Sequence, residues 1–109
     1  GRGPRYNCVV DGDTFYFRGE KIRVADINTP ETHSPDCEQE ARLGEEARFR
    51  FLELLNSGPV AIVRRGARDI DRYGRQLRVV MRHGHSLGDD LIAEGLARRW
   101  SGRRGSWCA

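Results

Sequence analysis

With 109 residues, the chain has the apolar content for one modest core and no second domain. It carries 19 Lys and Arg against 16 Asp and Glu, for a net charge of +3, and no apolar run long enough to span a bilayer; this excludes a helical membrane protein and leans toward a polyanionic partner. Three cysteines, Cys8, Cys37 and Cys108, are too few for a disulfide scaffold and lack the spacing of a zinc site.

The first residues, GRGPRYN, have neither a starting methionine nor the pattern of a signal peptide, and read as a trimmed N-terminus. Residues 8–17 and 21–27 are β-branched and aromatic runs separated by RGE, the pattern of a hairpin turning at Gly19. Inside the first run, Asp11 and Asp13 flank Gly12, although carboxylates are poor strand formers and are rarely buried without a cation. NTPETHSPDC is a loop, with Pro30 fixing the backbone where Asn28, Thr29 and Glu31 are presented. From Glu38 to Asn56, Ala47, Phe51, Leu54 and Leu55 recur at helical spacing before a stop at Gly58-Pro59.

VAIVR and QLRVVMR read as two further strands joined by the charged connection RGARDIDRYG. Ser86 with Asp89 marks the start of a short helix ending near Gly95. The tail RRWSGRRGSWCA reads as a coil pinned by Trp107, with residues 1–7 and 101–109 as loose termini around a single domain. A Cys37–Cys108 bridge would fasten that tail and imply an oxidising compartment. Together the elements predict a mainly β, α+β fold: a small, partly open, five-stranded OB-type barrel with two or three helices.

Three separated pieces carry chemistry: DGDT at 11–14, RVADINTPE at 23–31 and DRYGR at 71–75. Each lies at a strand end or just beyond one. Oxygen donors, two arginines and a carboxylate beside a proline are the inventory for hydrolysing a phosphodiester with a hard cation. Of the basic residues all but Lys21 are arginine, whose planar fork suits phosphate oxygens.

In order and spacing these motifs resemble those of the staphylococcal nuclease, or thermonuclease, family from Cys8 to about Trp100. The resemblance implies an OB barrel with helices and calcium-dependent hydrolysis of DNA and RNA; it favours a secreted or periplasmic setting without fixing the compartment, and little sequence preference and a monomer are the accompanying expectations. Asp13 resembles the family's metal-binding aspartate, and Thr29 the residue whose backbone carbonyl faces calcium. Glu31 resembles the glutamate that orders the attacking water; Arg23 and Arg75 resemble the arginines that grip the phosphorane. Arg72 and Tyr73 resemble the pair that contacts a terminal phosphate.

Two departures stand out. Asn28 occupies the place of a second metal-binding aspartate; its amide oxygen can still bind calcium or another hard divalent cation, with one negative charge fewer. Asp26 on the same strand face, or Asp11 nearby, would restore part of that field. The tyrosines beyond the short helix are missing, leaving Trp100 as the candidate for stacking a base. The alternative function is a non-catalytic or weakly active OB-fold module that binds nucleic acid, favoured by Asn28 and opposed by the joint presence of Asp13, Glu31, Arg23 and Arg75. His33, His83 and His85 sit in polar turns and read as solvated side chains rather than ligands.

Overall fold

The computed structural model describes residues 9–103 and 105–108. In chain order these form β1 (Val9–Asp11), β2 (Thr14–Phe17), β3 (Glu20–Val24), β4 (Ile27–Asn28), α1 (Glu38–Asn56), β5 (Ala61–Arg64), β6 (Gln76–Arg82), β7 (His85–Ser86), α2 (Leu87–Ala93) and β8 (Arg98–Arg99). One sheet runs β1-β2-β3-β6-β5 with β7 on β6, and β4 pairs with β8 separately. The fold is α+β and mainly strands, as expected; the sheet path is open rather than closed into a barrel among the described residues.

Two of the expected strands are interrupted. The run 9–17 folds back on itself: Asp11 pairs with Thr14 across Gly12-Asp13, so β1 and β2 are antiparallel neighbours with a bulge between Val9 and Asp11. The turn residues are Gly12 and Asp13, both poor strand formers, and here they override the aromatic strand pattern around them. The run 21–27 breaks at the turn Ala25-Asp26, separating β3 from β4. The turn at Gly19 is as read, with Arg18 and Gly19 both at positive φ (52° and 80°), the backbone of a tight two-residue hairpin.

The core lies between the sheet and the helices. Buried positions of α1 fall at Glu40, Gly44, Ala47, Phe51, Leu54 and Leu55, one helical stripe, and Phe51 meets Phe15 edge-on at 5.5 Å. No basic residue lies in the last turn of α1; instead Arg82 of β6 donates to the carbonyls of Leu54 and Gly58, both at 2.7 Å. The guanidinium thus adds a cation at the negative end of the helix, where the Leu54 carbonyl also accepts the Ser57 N–H and hydroxyl.

The tail contains the short strand β8, which the sequence reading treated as coil, and its other described residues run irregularly. Trp107 is buried with the Arg98 guanidinium 3.8 Å from its ring centroid, and Cys108 is disulfide-bonded to Cys37 with 6.1 Å between Cα atoms. The third cysteine, Cys8, and the N-terminal run 1–7 lie outside the described residues.

Candidate functional site

The parallel pairing of β3 with β6 builds one wall of a cleft. In register, Ile22 lies opposite Gln76 and Arg23 opposite Leu77. Side chains alternate across a sheet, so Lys21 and Arg23 from β3 share a face with Leu77 of β6 and with Arg75 just before it. All four line a cleft of about 860 Å³ that also takes in Glu31, Arg72, Tyr73 and Trp100. Distant motifs thus meet because a non-local strand pair sets them side by side.

Beneath this wall is a buried floor. The β1–β2 turn presents Asp13, whose Oδ2 accepts the Thr29 N–H at 3.0 Å and lies 3.5 Å from Arg23 Nη2, while Oδ1 accepts the Thr14 hydroxyl at 3.1 Å. Arg23 Nη1 donates to the carbonyls of Val24 and, at 2.9 Å, Ile27. Arg23 therefore braces the β3–β4 turn as well as facing the cleft, and its ring-side neighbour is Trp100, 5.5 Å away. Gly12 permits the close approach: a Cβ there would lie 2.8 Å from Ala47 Cβ and 2.9 Å from Thr29 Cγ2.

The loop that carries Glu31 is tied at both ends. Asp11 Oδ1 accepts the Thr32 N–H and hydroxyl, at 3.2 and 2.5 Å. The Glu40 carboxylate of α1 accepts the Glu31 N–H at 3.0 Å and the Asp36 N–H at 2.7 Å.

The rim opposite is a local structure. Asp71 Oδ1 accepts the N–H groups of Tyr73 and Arg75, each at 2.9 Å, and Oδ2 accepts Arg75 Nε at 2.7 Å. Burial pushes the Asp71 pKa up, but the Arg75 and Tyr73 N–H groups and the Arg75 guanidinium outweigh it and hold the carboxyl below its ordinary value. Tyr73, 67% exposed, receives the Arg72 guanidinium on its hydroxyl at 2.8 Å and lies 5.3 Å from that of Arg75.

Of the eight site residues expected from sequence, the cleft gathers Arg23, Glu31, Arg72, Tyr73 and Arg75, while Asp13, Asn28 and Thr29 are buried and do not line it. Asp26 is tied on one side to the start of α2, where its Oδ2 accepts the Ser86 hydroxyl at 2.7 Å and lies 3.8 Å from Arg99, while its buried Oδ1 has no hydrogen-bond partner among the described residues. Asp11 is committed to the loop through Thr32. Among the described residues no three His, Cys, Asp or Glu side chains converge as a metal site.

The donors nearest to that role are the Asp13 carboxylate, the Thr29 main chain and Asn28 Oδ1, which is buried without a hydrogen-bond partner among the described residues. A buried amide oxygen left unpaired is costly, and an all-oxygen set fits a hard cation, though with less charge than paired carboxylates give. Sequence reasoning missed Lys21 and Glu40. Lys21 was legible from its two-residue offset to Arg23. Glu40 acts on main-chain N–H groups, for which its place three residues after the helix cap was the one cue.

The family model described as staphylococcal nuclease homologue matches residues 21–106. The chain is similar to "Endonuclease YncB" of Bacillus subtilis (strain 168), 39% identical over 95 residues that cover 83% of this chain and 44% of that protein. It is also similar to "SPbeta prophage-derived endonuclease YokF" of the same organism, 40% identical over 95 residues covering 83% of this chain and 31% of the other. The chain thus spans less than half the length of either relative.

Proposed function

The chain belongs to the family of staphylococcal nuclease homologues, and from that premise we propose that it is a nuclease, hydrolysing phosphodiester bonds of single-stranded or frayed DNA or RNA with calcium. The observation that carries this reading is the meeting of Glu31, Arg23 and Arg75 in one basic cleft above the buried Asp13. A carboxylate facing the ligand is not needed to bind a polyanion, whose phosphates it repels, whereas a water to be aimed at phosphorus needs such an acceptor.

In this reading Glu31 accepts a hydrogen bond from a water and aims its oxygen at phosphorus. The new P–O bond forms as the opposite one breaks; the attacking water passes a proton to the Glu31 carboxylate, and the departing oxygen takes one up from solvent. Arg75, whose side chain is 24% exposed against 9% for Arg23, is the better placed of the two to donate to the equatorial oxygens as charge builds. Arg23 holds Asp13 and lends its remaining positive field. Arg72 and Tyr73, at the exposed rim, fix a neighbouring phosphate. Asp13, Asn28 and the Thr29 carbonyl are the groups that would hold calcium, whose chemistry there is neutralisation and polarisation of the phosphate.

The test is digestion of an unstructured DNA oligonucleotide with calcium, with chelator, and with Arg75→Ala. Activity that requires the cation and falls by about 10²- to 10³-fold in the variant is expected from loss of one transition-state donor. Equal rates for wild type and variant would remove Arg75 from the reaction.

Asn28 supports the second reading, a module that binds nucleic acid without cutting it. Calorimetry with calcium separates the two: heat of binding that grows in Asn28→Asp, with a parallel gain of cleavage, marks a weakened enzyme. Tight oligonucleotide binding with neither cation heat nor cleavage in both proteins marks the binder.

A further inference from the structure

We infer that Glu40 is a positioning residue for Glu31, acting through the main chain of the loop; this rests on the nuclease reading of the cleft. Glu40 is 4% exposed, and among the described residues no basic side chain pairs with it. A carboxylate in such a place needs hydrogen-bond donors for its buried oxygens. It finds them in two N–H groups outside its own helix, Glu31 at 3.0 Å and Asp36 at 2.7 Å. The positive end of α1 adds to their effect, since Glu40 lies in the first helical turn.

The arrangement departs from an ordinary helix start. A glutamate at the third helical position commonly reaches back to the N–H of the cap residue. Here the cap is Cys37, and Glu40 reaches past it to Asp36 and across to Glu31, so that the carboxylate clamps the loop 31–36 onto the helix instead of closing the helix on itself.

Gly44, one turn further along the same face, completes the clamp. A Cβ at Gly44 would lie 2.8 Å from the Glu31 carbonyl oxygen and 3.0 Å from that of Pro30. The main chain of Glu31 is therefore held on its N–H by Glu40 and seated on its carbonyl side against a helix backbone bare of side chain. With both ends of that residue fixed, its side chain is left to line the cleft. A catalytic carboxylate displaced by an ångström loses in-line alignment of its water, an effect of about 10²-fold.

The experiment is a double-mutant cycle between Glu40→Gln and Glu31→Gln, read as kcat and KM for a single-stranded oligonucleotide. Gln keeps the size of Glu40 but can accept with only one of its two terminal atoms. Glu40→Gln is expected to lower kcat by roughly 10- to 100-fold with KM little changed, and to add nothing in the Glu31→Gln background. Losses that multiply in the double variant, or an unchanged kcat, would overturn the inference. Amide hydrogen exchange decides the point without activity: the Glu31 and Asp36 amides should exchange at least about tenfold faster in Glu40→Gln while those of Phe51 and Leu55 keep their protection. Unchanged exchange at Glu31 would sink the proposal; a wild type that exchanges as expected yet cuts nothing would instead sink the nuclease reading. Gly44→Ala, which presses on the loop from the carbonyl side, should reproduce the kcat loss if the same geometry is at stake.

Discussion

Arg23 and Arg75 line the same cleft, yet Arg23 is fastened by carbonyls of two neighbouring segments and a buried carboxylate, whereas Arg75 is held by one aspartate of its own loop. The difference runs through the whole site. On the floor, Asp13, Arg23 and Thr29 come from separate elements and their bonds close the fold as well as the site. On the rim, Asp71, Arg72, Tyr73 and Arg75 bond mainly to one another within five residues, and Tyr73 stands out into solvent. Side chains of the same chemistry therefore carry different loads: substitutions on the floor should disturb stability and activity together, and those on the rim should separate the two.

The largest expected effect tests that separation directly. Arg23→Ala strips the cation from Asp13, leaving a buried carboxylate with neutral donors alone, and breaking such a pair costs about 3 to 5 kcal/mol of stability. Arg75→Ala breaks a more open pair, worth about 1 kcal/mol or less, while its loss of cleavage should be the greater for the stability sacrificed. Urea unfolding of the two variants reads the contrast; equal midpoints would abolish the distinction between floor and rim.

Next in size is the Cys37–Cys108 bridge, which spans 71 positions and ties the segment holding Trp100 and Arg103 to the start of α1. Closing a loop of that length in the unfolded chain is worth about 2 to 4 kcal/mol, so a dithiol reductant or Cys108→Ser should lower the melting temperature in proportion. The bridge also sharpens the comparison, because it fastens a third wall of the cleft by a covalent tie rather than by polar bonds. Its removal is expected to weaken oligonucleotide binding more than it slows cleavage of the bound strand, which KM and kcat under reducing conditions would separate.

How much of this was legible in the sequence follows the same division. Local signals were read well: the Gly19 turn, the apolar stripe of α1 and its stop at Gly58-Pro59, and the DRYGR loop all depend on residues close in the chain. The break at Gly12-Asp13 was misread because two aspartates and a glycine were set against a longer aromatic run, and the turn chemistry won. Strands β4 and β8 have two residues each and no periodicity to detect; they exist because the tail is carried alongside Asn28. The cleft rests on the parallel β3–β6 pair, which joins segments far apart in sequence, so motif content named its residues but could not give its register. Burial of Asp13, Asn28 and Thr29 beneath the cleft, and the use of Asp26 by Ser86, are tertiary facts with no local trace.

The smallest effect expected is the one most confined to the rim. The Asp71 carboxyl is held below its ordinary pKa, so by linkage its charged form stabilises the folded state: the contribution is complete above the unfolded value near 3.9 and is lost as pH falls through the lower folded value. Asp71→Asn keeps one acceptor for the Tyr73 and Arg75 N–H groups but removes the charge facing Arg75 Nε, and should cost about 1 kcal/mol or less above pH 5. Below the folded pKa the protonated wild type and the variant become alike, so the gap between their unfolding free energies should narrow steadily as pH drops from 5 toward 2. A gap that stays constant over that range would mean the Asp71 charge does not hold the loop, and that Arg75 is oriented by the backbone alone. Cleavage separates these again, because a loop that keeps its shape without the charge leaves Arg75 freer to turn toward a phosphate, and Asp71→Asn would then raise affinity for the strand instead of lowering it.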